Sequence, residues 1–226
     1  MSRTGAFFDV DRTLVACNTG RLFLRDLRRR GEISFLRAAR AMGWMAQYHL
    51  SLIDLQIIAA RVALQMRGKS ETEFAERCRR WVEDEVLPLV VPGALRQIEK
   101  HRAAGHVLAV LSSSPIYVTR PLAQTLGIEE VLSTTFEVED DKFTGRLIGP
   151  ACVGTGKIHW AESLGARRDV DLEQSFFYTD SYTDMPMLER VGNQVIVNPD
   201  PRLRLAAKKR GWPVQDWSKP PIEVRA

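Results

Sequence analysis

Two aspartates spaced i, i+2, Asp9 and Asp11, follow directly on the apolar run Ala6-Phe7-Phe8 and precede Thr13. One carboxylate of such a pair can stay ionised as a nucleophile or metal ligand while the other carries a proton as general acid and base. A second acid pair, Asp180 and Asp184, follows Phe176-Phe177-Tyr178-Thr179. Oxygen donors at that position suit a hard cation such as Mg2+, which takes one or two protein carboxylates and fills its shell with water and phosphate oxygens. Between the two pairs, Ser112-Ser113-Ser114-Pro115 offers a hydroxyl and successive backbone N–H groups ahead of a helix, a turn suited to holding a phosphate. Lys157, after Gly154-Thr155-Gly156, falls at a helix start, where the dipole disfavours a positive charge unless an anion lies nearby. Each feature alone also has a plain structural account: an Asp-rich turn, a serine turn, a surface lysine, a helix cap at Asp184.

These residues need elements that bring them to one place. The run 6–9 reads as a buried strand, too short for a helix. Four helices are expected next, over 19–30, 34–50, 52–67 and 70–85, the last opened by the capping-box pattern Ser70-Glu71-Thr72-Glu73. The chain then alternates: helix 93–104, strand 107–111, helix 116–126, a hairpin of 134–138 and 143–148 turning at Asp140-Asp141, helix 157–164, strand 175–179, helix 184–191, strand 194–197 and helix 201–210. This pattern predicts an α/β fold, a Rossmann-like doubly wound and mainly parallel sheet with a helical bundle inserted after its first strand. The expected division is a core of 1–17 and 88–212, a helical cap of 18–87, and a proline-rich tail of 213–226 to which no structure is assigned. In an open α/β sheet, ligands sit beyond the carboxyl ends of the strands, where all four motifs would fall.

Composition bounds the function classes. With 226 residues, 45% of them hydrophobic, the chain can bury a large core. Its net charge of +4 is modest, and the basic clusters at 25–30, 77–80 and 202–210 alternate with apolar residues as solvated helix faces do, so no nucleic-acid partner is expected. Cys17, Cys78 and Cys152 are odd in number and lack metal-ligand or disulfide spacing. No apolar stretch is long enough to span a membrane and no leader pattern opens the chain, from which a cytoplasmic location is expected. The histidines His49, His101, His106 and His159 form no catalytic constellation in sequence and read as packing or surface residues.

The ordered set Asp9-Val10-Asp11-Arg12-Thr13, Ser112, Lys157 and Asp180-Ser181-Tyr182-Thr183-Asp184 resembles the haloacid dehalogenase superfamily of phosphohydrolases. The all-helical insertion between the first two motifs resembles the phosphoserine-phosphatase-like branch, subfamily IB, whose insertion is the C1 cap. The resemblance implies an aspartyl-phosphate mechanism, with Asp9 as nucleophile and Asp11 as general acid and base. It also implies Mg2+ held by Asp9, Asp180 and the backbone carbonyl of Asp11, with Asp184 orienting metal-bound water or supporting Lys157. Lys157, Ser112, Ser113 and nearby backbone N–H groups would bind the phosphoryl oxygens, and Thr13 would fix the loop of the acids.

Two cap positions bear on the substrate. Asn18 stands where phosphoserine phosphatases carry the glutamate that meets the substrate amine, and a neutral amide cannot supply that charge. Arg61, in Arg61-Val62-Ala63-Leu64, matches the arginine that grips a substrate carboxylate, or else serves as a surface ion-pair partner. Phe23, Trp44, Met45 and Tyr48 are candidate linings of the cap pocket. The expected activity is Mg2+-dependent hydrolysis of a small phosphorylated metabolite. The alternatives are phosphoryl transfer to another hydroxyl and a non-catalytic binding or regulatory role. The intact acid, serine and lysine set weighs against the last. Oligomeric state is not legible.

Overall fold

Ala6, Phe7 and Phe8 are fully buried and close the first strand, β1 (Arg3–Phe8). A strand buried on both faces must sit inside a sheet, with helices on either side. The computed structural model describes residues 2–36, 43 and 55–217 and places β1 in that position. The other strands are β2 (Val107–Pro115), β3 (Glu130–Thr134), β4 (Phe136–Glu139), β5 (Lys142–Leu147), β6 (Val170–Thr179), β7 (Asn193–Val197) and β8 (Val214–Gln215). Six of them form one sheet in the order β3-β2-β1-β6-β7-β8, with every neighbouring pair parallel. The alternation of side chains divides its core in two. Ala6, Phe8, Val110, Tyr178, Val195 and Val197 pack on one face, while Phe7, Ala109, Leu111, Phe177 and Ile196 pack on the other. The mainly parallel α/β architecture read from the sequence is the fold observed.

The helices are α1 (Thr19–Arg29), α2 (Leu55–Met66), α3 (Glu71–Trp81), α4 (Pro92–Ala103), α5 (Ile116–Thr125), α6 (Thr155–Arg168), α7 (Met185–Arg190) and α8 (Pro201–Arg210). The first three lie between β1 and β2, in the stretch expected to form the cap. Most of the helix expected over 34–50, including Trp44, Met45, Tyr48 and His49, lies outside the described residues. Helix α2 packs Ala63 and Met66 against Phe136 and Phe143 of the β4–β5 hairpin. Ser70 is the N-cap of α3: its Oγ accepts from Glu73 N–H at 3.2 Å and also donates to Asp141 Oδ2 at 2.7 Å, tying α3 to the hairpin turn. Residues Val82–Val86 continue α3 as a π-helical turn.

Three readings are corrected. First, β3 is a full strand of the main sheet and the hairpin begins only at Phe136; the polar ends of Glu130-Val131-Leu132-Ser133-Thr134 hid it. Second, β6 begins at Val170, because its register against β1 shifts between Thr4 and Ala6 and breaks the apolar pattern at Glu173-Gln174. Third, the tail is structured at its start: β8 pairs with β7, and Trp217 is buried against Gly93, where a Cβ would meet the indole at 2.5 Å.

Behind the carboxyl end of β1, the Tyr178 ring stacks on Phe8 at 4.7 Å and lies 5.6 Å from Trp217. Its hydroxyl is 2.7 Å from His101 Nε2, and His101 Nδ1 is 2.8 Å from His106 Nδ1. None of the described helices is long and apolar enough to cross a membrane.

Candidate active site

The chain leaves β1 through a tight turn. Asp9 N–H donates to Tyr178 O at 2.9 Å, which ties the end of β1 to β6. The N–H groups of Thr13, Leu14 and Val15 then converge on Val10 O at 3.2, 2.9 and 3.1 Å. Arg12 takes the left-handed conformation, φ 55°, which costs a residue with a Cβ about 1 kcal/mol or more. Asn198 pins it by donating from Nδ2 to Arg12 O at 3.0 Å, while Asn198 Oδ1 accepts from Trp217 N–H at 2.9 Å. The Arg12 side chain is 44% exposed, with Nη1 4.0 Å from Asp180 Oδ2. Thr13 contributes to the turn through its backbone; its buried Oγ1 has no partner among the described residues.

Lys157 enters this turn from the third position of α6 and is fully buried. Its Nζ donates to Asp9 Oδ1 at 2.9 Å and to Asp184 Oδ2 at 2.7 Å, and Thr179 Oγ1 donates to the same Asp184 oxygen at 2.6 Å. Burial opposes the ammonium charge, but Asp184 and Asp9 outweigh it and hold the Lys157 pKa above its ordinary value. The anions that the helix dipole demands are therefore protein carboxylates. Gly156 permits the approach, because a Cβ there would collide with the backbone oxygen of Ala151.

The parallel register sets Phe8 opposite Tyr178, so Asp9 and Asp180 leave neighbouring strand ends side by side. Burial, with repulsion from Asp184 and Asp11 overcoming the pull of Lys157, pushes the Asp9 pKa up to about 7. Asp180 rises further, to about 9, through burial and then repulsion by Asp9 and Asp184. Two buried acids that resist ionising together are the donor set that a hard divalent cation relieves, so the residues present fit Mg2+. The other two acids are directed elsewhere. Asp11 is held at both oxygens by Thr19 and Asn18, and Asp184 serves Lys157 and Thr179. Among the described residues no three His, Cys, Asp or Glu side chains form a ready-made metal cluster.

Ser112 lies two residues past Val110, which pairs with Phe8, so the sheet brings it to the same edge as Asp9. It is buried, and its Oγ accepts from Ser114 N–H at 3.3 Å. Ser113 is exposed, and its carbonyl accepts from Thr134 Oγ1 at 3.0 Å. Asn18 caps α1 by accepting from Arg21 N–H at 2.9 Å and spends its Nδ2 on Asp11. Arg61 is exposed on α2, and no contact among the described residues joins it to the acids, Ser112 or Lys157. The same helix is fastened by Gln56, which donates to Ala151 O at 2.9 Å and accepts from Ala151 N–H at 2.8 Å, just ahead of α6.

Sequence reasoning missed four supporting residues. Thr19 and Thr179 carry no signal beyond being hydroxyls, and Ser114 stood in the serine run without its contact to Thr19 being foreseen. Asp200 did carry one, an acid directly before Pro201 at a helix start. It caps α8 with Oδ1 and clamps the second acid loop, accepting from Tyr182 N–H at 2.8 Å while its own N–H donates to Asp180 O at 2.9 Å.

Over residues 6–189 the sequence matches the family of haloacid dehalogenase-like hydrolases. It is 32% identical over 216 residues to a Mycobacterium tuberculosis protein named phosphoserine phosphatase, covering 94% of this chain and 70% of that relative. To a histidinol-phosphatase of Neisseria meningitidis it is 28% identical over 214 residues, covering 92% of this chain and 96% of the relative. Among solved structures it is similar to a protein of unknown function from Bordetella pertussis, with TM-score 0.85 and 28% identity, covering 96% of this chain and all of that one.

Proposed function

Since this chain belongs to the haloacid dehalogenase-like hydrolases and is a phosphatase, we propose that it hydrolyses a small phosphomonoester with Mg2+ through an aspartyl-phosphate on Asp9. The observation that carries this reading is the buried Asp9–Lys157–Asp184 chain beside Asp180, set where the carboxyl ends of the parallel strands meet.

An Asp9 carboxylate oxygen attacks phosphorus, forming the acyl–phosphate bond as the ester P–O bond breaks. Asp11 gives its proton to the leaving oxygen, then takes one from the water that attacks the intermediate and frees Asp9. Lys157 holds Asp9 in line and, with Ser112, Ser113 and turn N–H groups, meets the charge on the equatorial oxygens. Asp9, Asp180 and the carbonyl of Asp11 would hold Mg2+, with Asp184 in support. When bound, the ion offsets the repulsion between a carboxylate and a phosphate dianion. The cap carries Arg61 as a charge for an acidic substrate group and shields the intermediate from water. Three free thiols, buried or half-buried, accord with a reducing cytoplasm.

The test is phosphate release from a panel of small phosphomonoesters, with Mg2+ or with chelator, for the wild type and Asp9→Asn. Turnover that needs both the ion and Asp9 is expected. A silent panel from folded, Mg2+-supplemented protein would end the reading.

A further inference from the structure

The residue expected to face the substrate is turned onto the catalytic machinery instead. Asn18 Nδ2 donates to Asp11 Oδ2 at 2.8 Å, and its Oδ1 accepts from Arg21 N–H at 2.9 Å. The second bond fixes the amide orientation, because the flipped amide would set N–H against N–H. The other Asp11 oxygen, Oδ1, accepts both from Thr19 N–H at 2.9 Å and from Thr19 Oγ1 at 2.7 Å. With its proton committed to Asp11, Thr19 Oγ1 is the acceptor for Ser114 Oγ, 3.0 Å away.

A carboxylate has about four lone-pair sites. Three donors fill both sites on Oδ1 and one on Oδ2, which leaves a single site on Oδ2 for the proton that is given and taken. We propose that Asn18 is a positioning residue for the general acid and base, selecting Oδ2 of Asp11 as the proton-handling oxygen and aiming it, rather than a contact for the substrate. This rests on the hydrolase reading above. It also accounts for an amide at a position where a carboxylate would repel Asp11 across a 2.8 Å contact.

A pair of aryl esters tests the proposal. Phenyl phosphate and p-nitrophenyl phosphate occupy nearly the same space, but the phenolate of the first needs a proton to depart and the nitrophenolate scarcely does. Asn18→Asp keeps the helix cap, since aspartate caps as well as asparagine, and replaces the donor to Asp11 by an acceptor. Asn18→Ser keeps a cap without adding charge. In both variants kcat/KM for phenyl phosphate is expected to fall tenfold or more, against threefold or less for p-nitrophenyl phosphate. The melting temperature of Asn18→Ser should stay near that of the wild type. Equal losses on the two esters, or no loss, would overturn the proposal while leaving the hydrolase reading intact. If the wild type turns over neither aryl ester nor any member of the metabolite panel, the hydrolase reading falls and this inference with it. If it turns over only a metabolite ester, whose alkoxide needs the proton, the tenfold loss in the variants is expected on that ester and its absence overturns the proposal. Should Asn18→Asp not fold, Asn18→Ser gives the same decision.

Discussion

Lys157 Nζ stands 2.9 Å from Asp9 Oδ1 and 2.7 Å from Asp184 Oδ2, with all three residues buried. The lysine compensates two acids, one just past the end of β1 and one at the N-cap of α7, and either acid left without it would be a buried charge short of a partner. Removing one member of a buried ion pair typically costs about 3–5 kcal/mol.

Lys157→Met keeps the length of the stem and removes the charge. We expect it to lower unfolding free energy by about 3 kcal/mol at neutral pH, read from urea titration, and to abolish phosphatase turnover. Lys157→Met that unfolds at the same urea concentration as wild type would show the pairing to be energetically neutral.

Asp200 braces the loop that carries Asp180. Asp200→Asn can still cap α8 through its carbonyl oxygen, but it turns an amide N–H toward Tyr182 N–H, where a carboxylate oxygen now accepts at 2.8 Å. Stability should fall by only about 1 kcal/mol. The Mg2+ concentration for half-maximal turnover should rise severalfold, because the Asp180 loop loses its clamp. A magnesium titration of the two proteins decides it.

His101 should make stability sensitive to acid. Burial, then the neighbouring His106 and Lys100, lower its pKa from 6.5 to about 4, so the folded state prefers the neutral ring. Its contribution is therefore full above pH 6.5 and is lost as the pH falls from there toward 4. The whole window amounts to about 3 kcal/mol. His101→Gln should be less stable than wild type at pH 7 and lose less on acidification. Parallel urea midpoints for the two proteins between pH 7 and pH 5 would refute this.

The motifs and the strands that carry them were readable because burial on both faces of a parallel sheet demands uninterrupted apolar runs, and Phe7, Phe8, Leu111 and Phe177 supply them. The pairing of Lys157 with Asp9 was foreshadowed by a positive charge at a helix start. What stayed hidden depends on contacts distant in sequence. Ser114 is 95 positions from Thr19, and Asp200 reaches a loop 18 positions back, so local pattern says nothing of either. The bond that Asn18 makes was hidden for another reason. The residue's position pointed toward the substrate, while its side chain was claimed by an acid seven residues earlier. The tail misled by composition, since Pro213 and its polar neighbours conceal an edge strand and the indole of Trp217.

The place of β1 at the centre of its sheet has a consequence for how activity arises during synthesis. Asp9, the proposed nucleophile, follows a strand that has no neighbour until Val107–Pro115 and then Val170–Thr179 have emerged. The lysine that neutralises it comes at position 157, and the turn that presents it is braced through Asn198 by the backbone of Trp217. Until those segments emerge, Asp9 in the nascent chain is an ordinary solvated aspartate. The site can close around that residue only once every segment from β1 to Trp217 has been made.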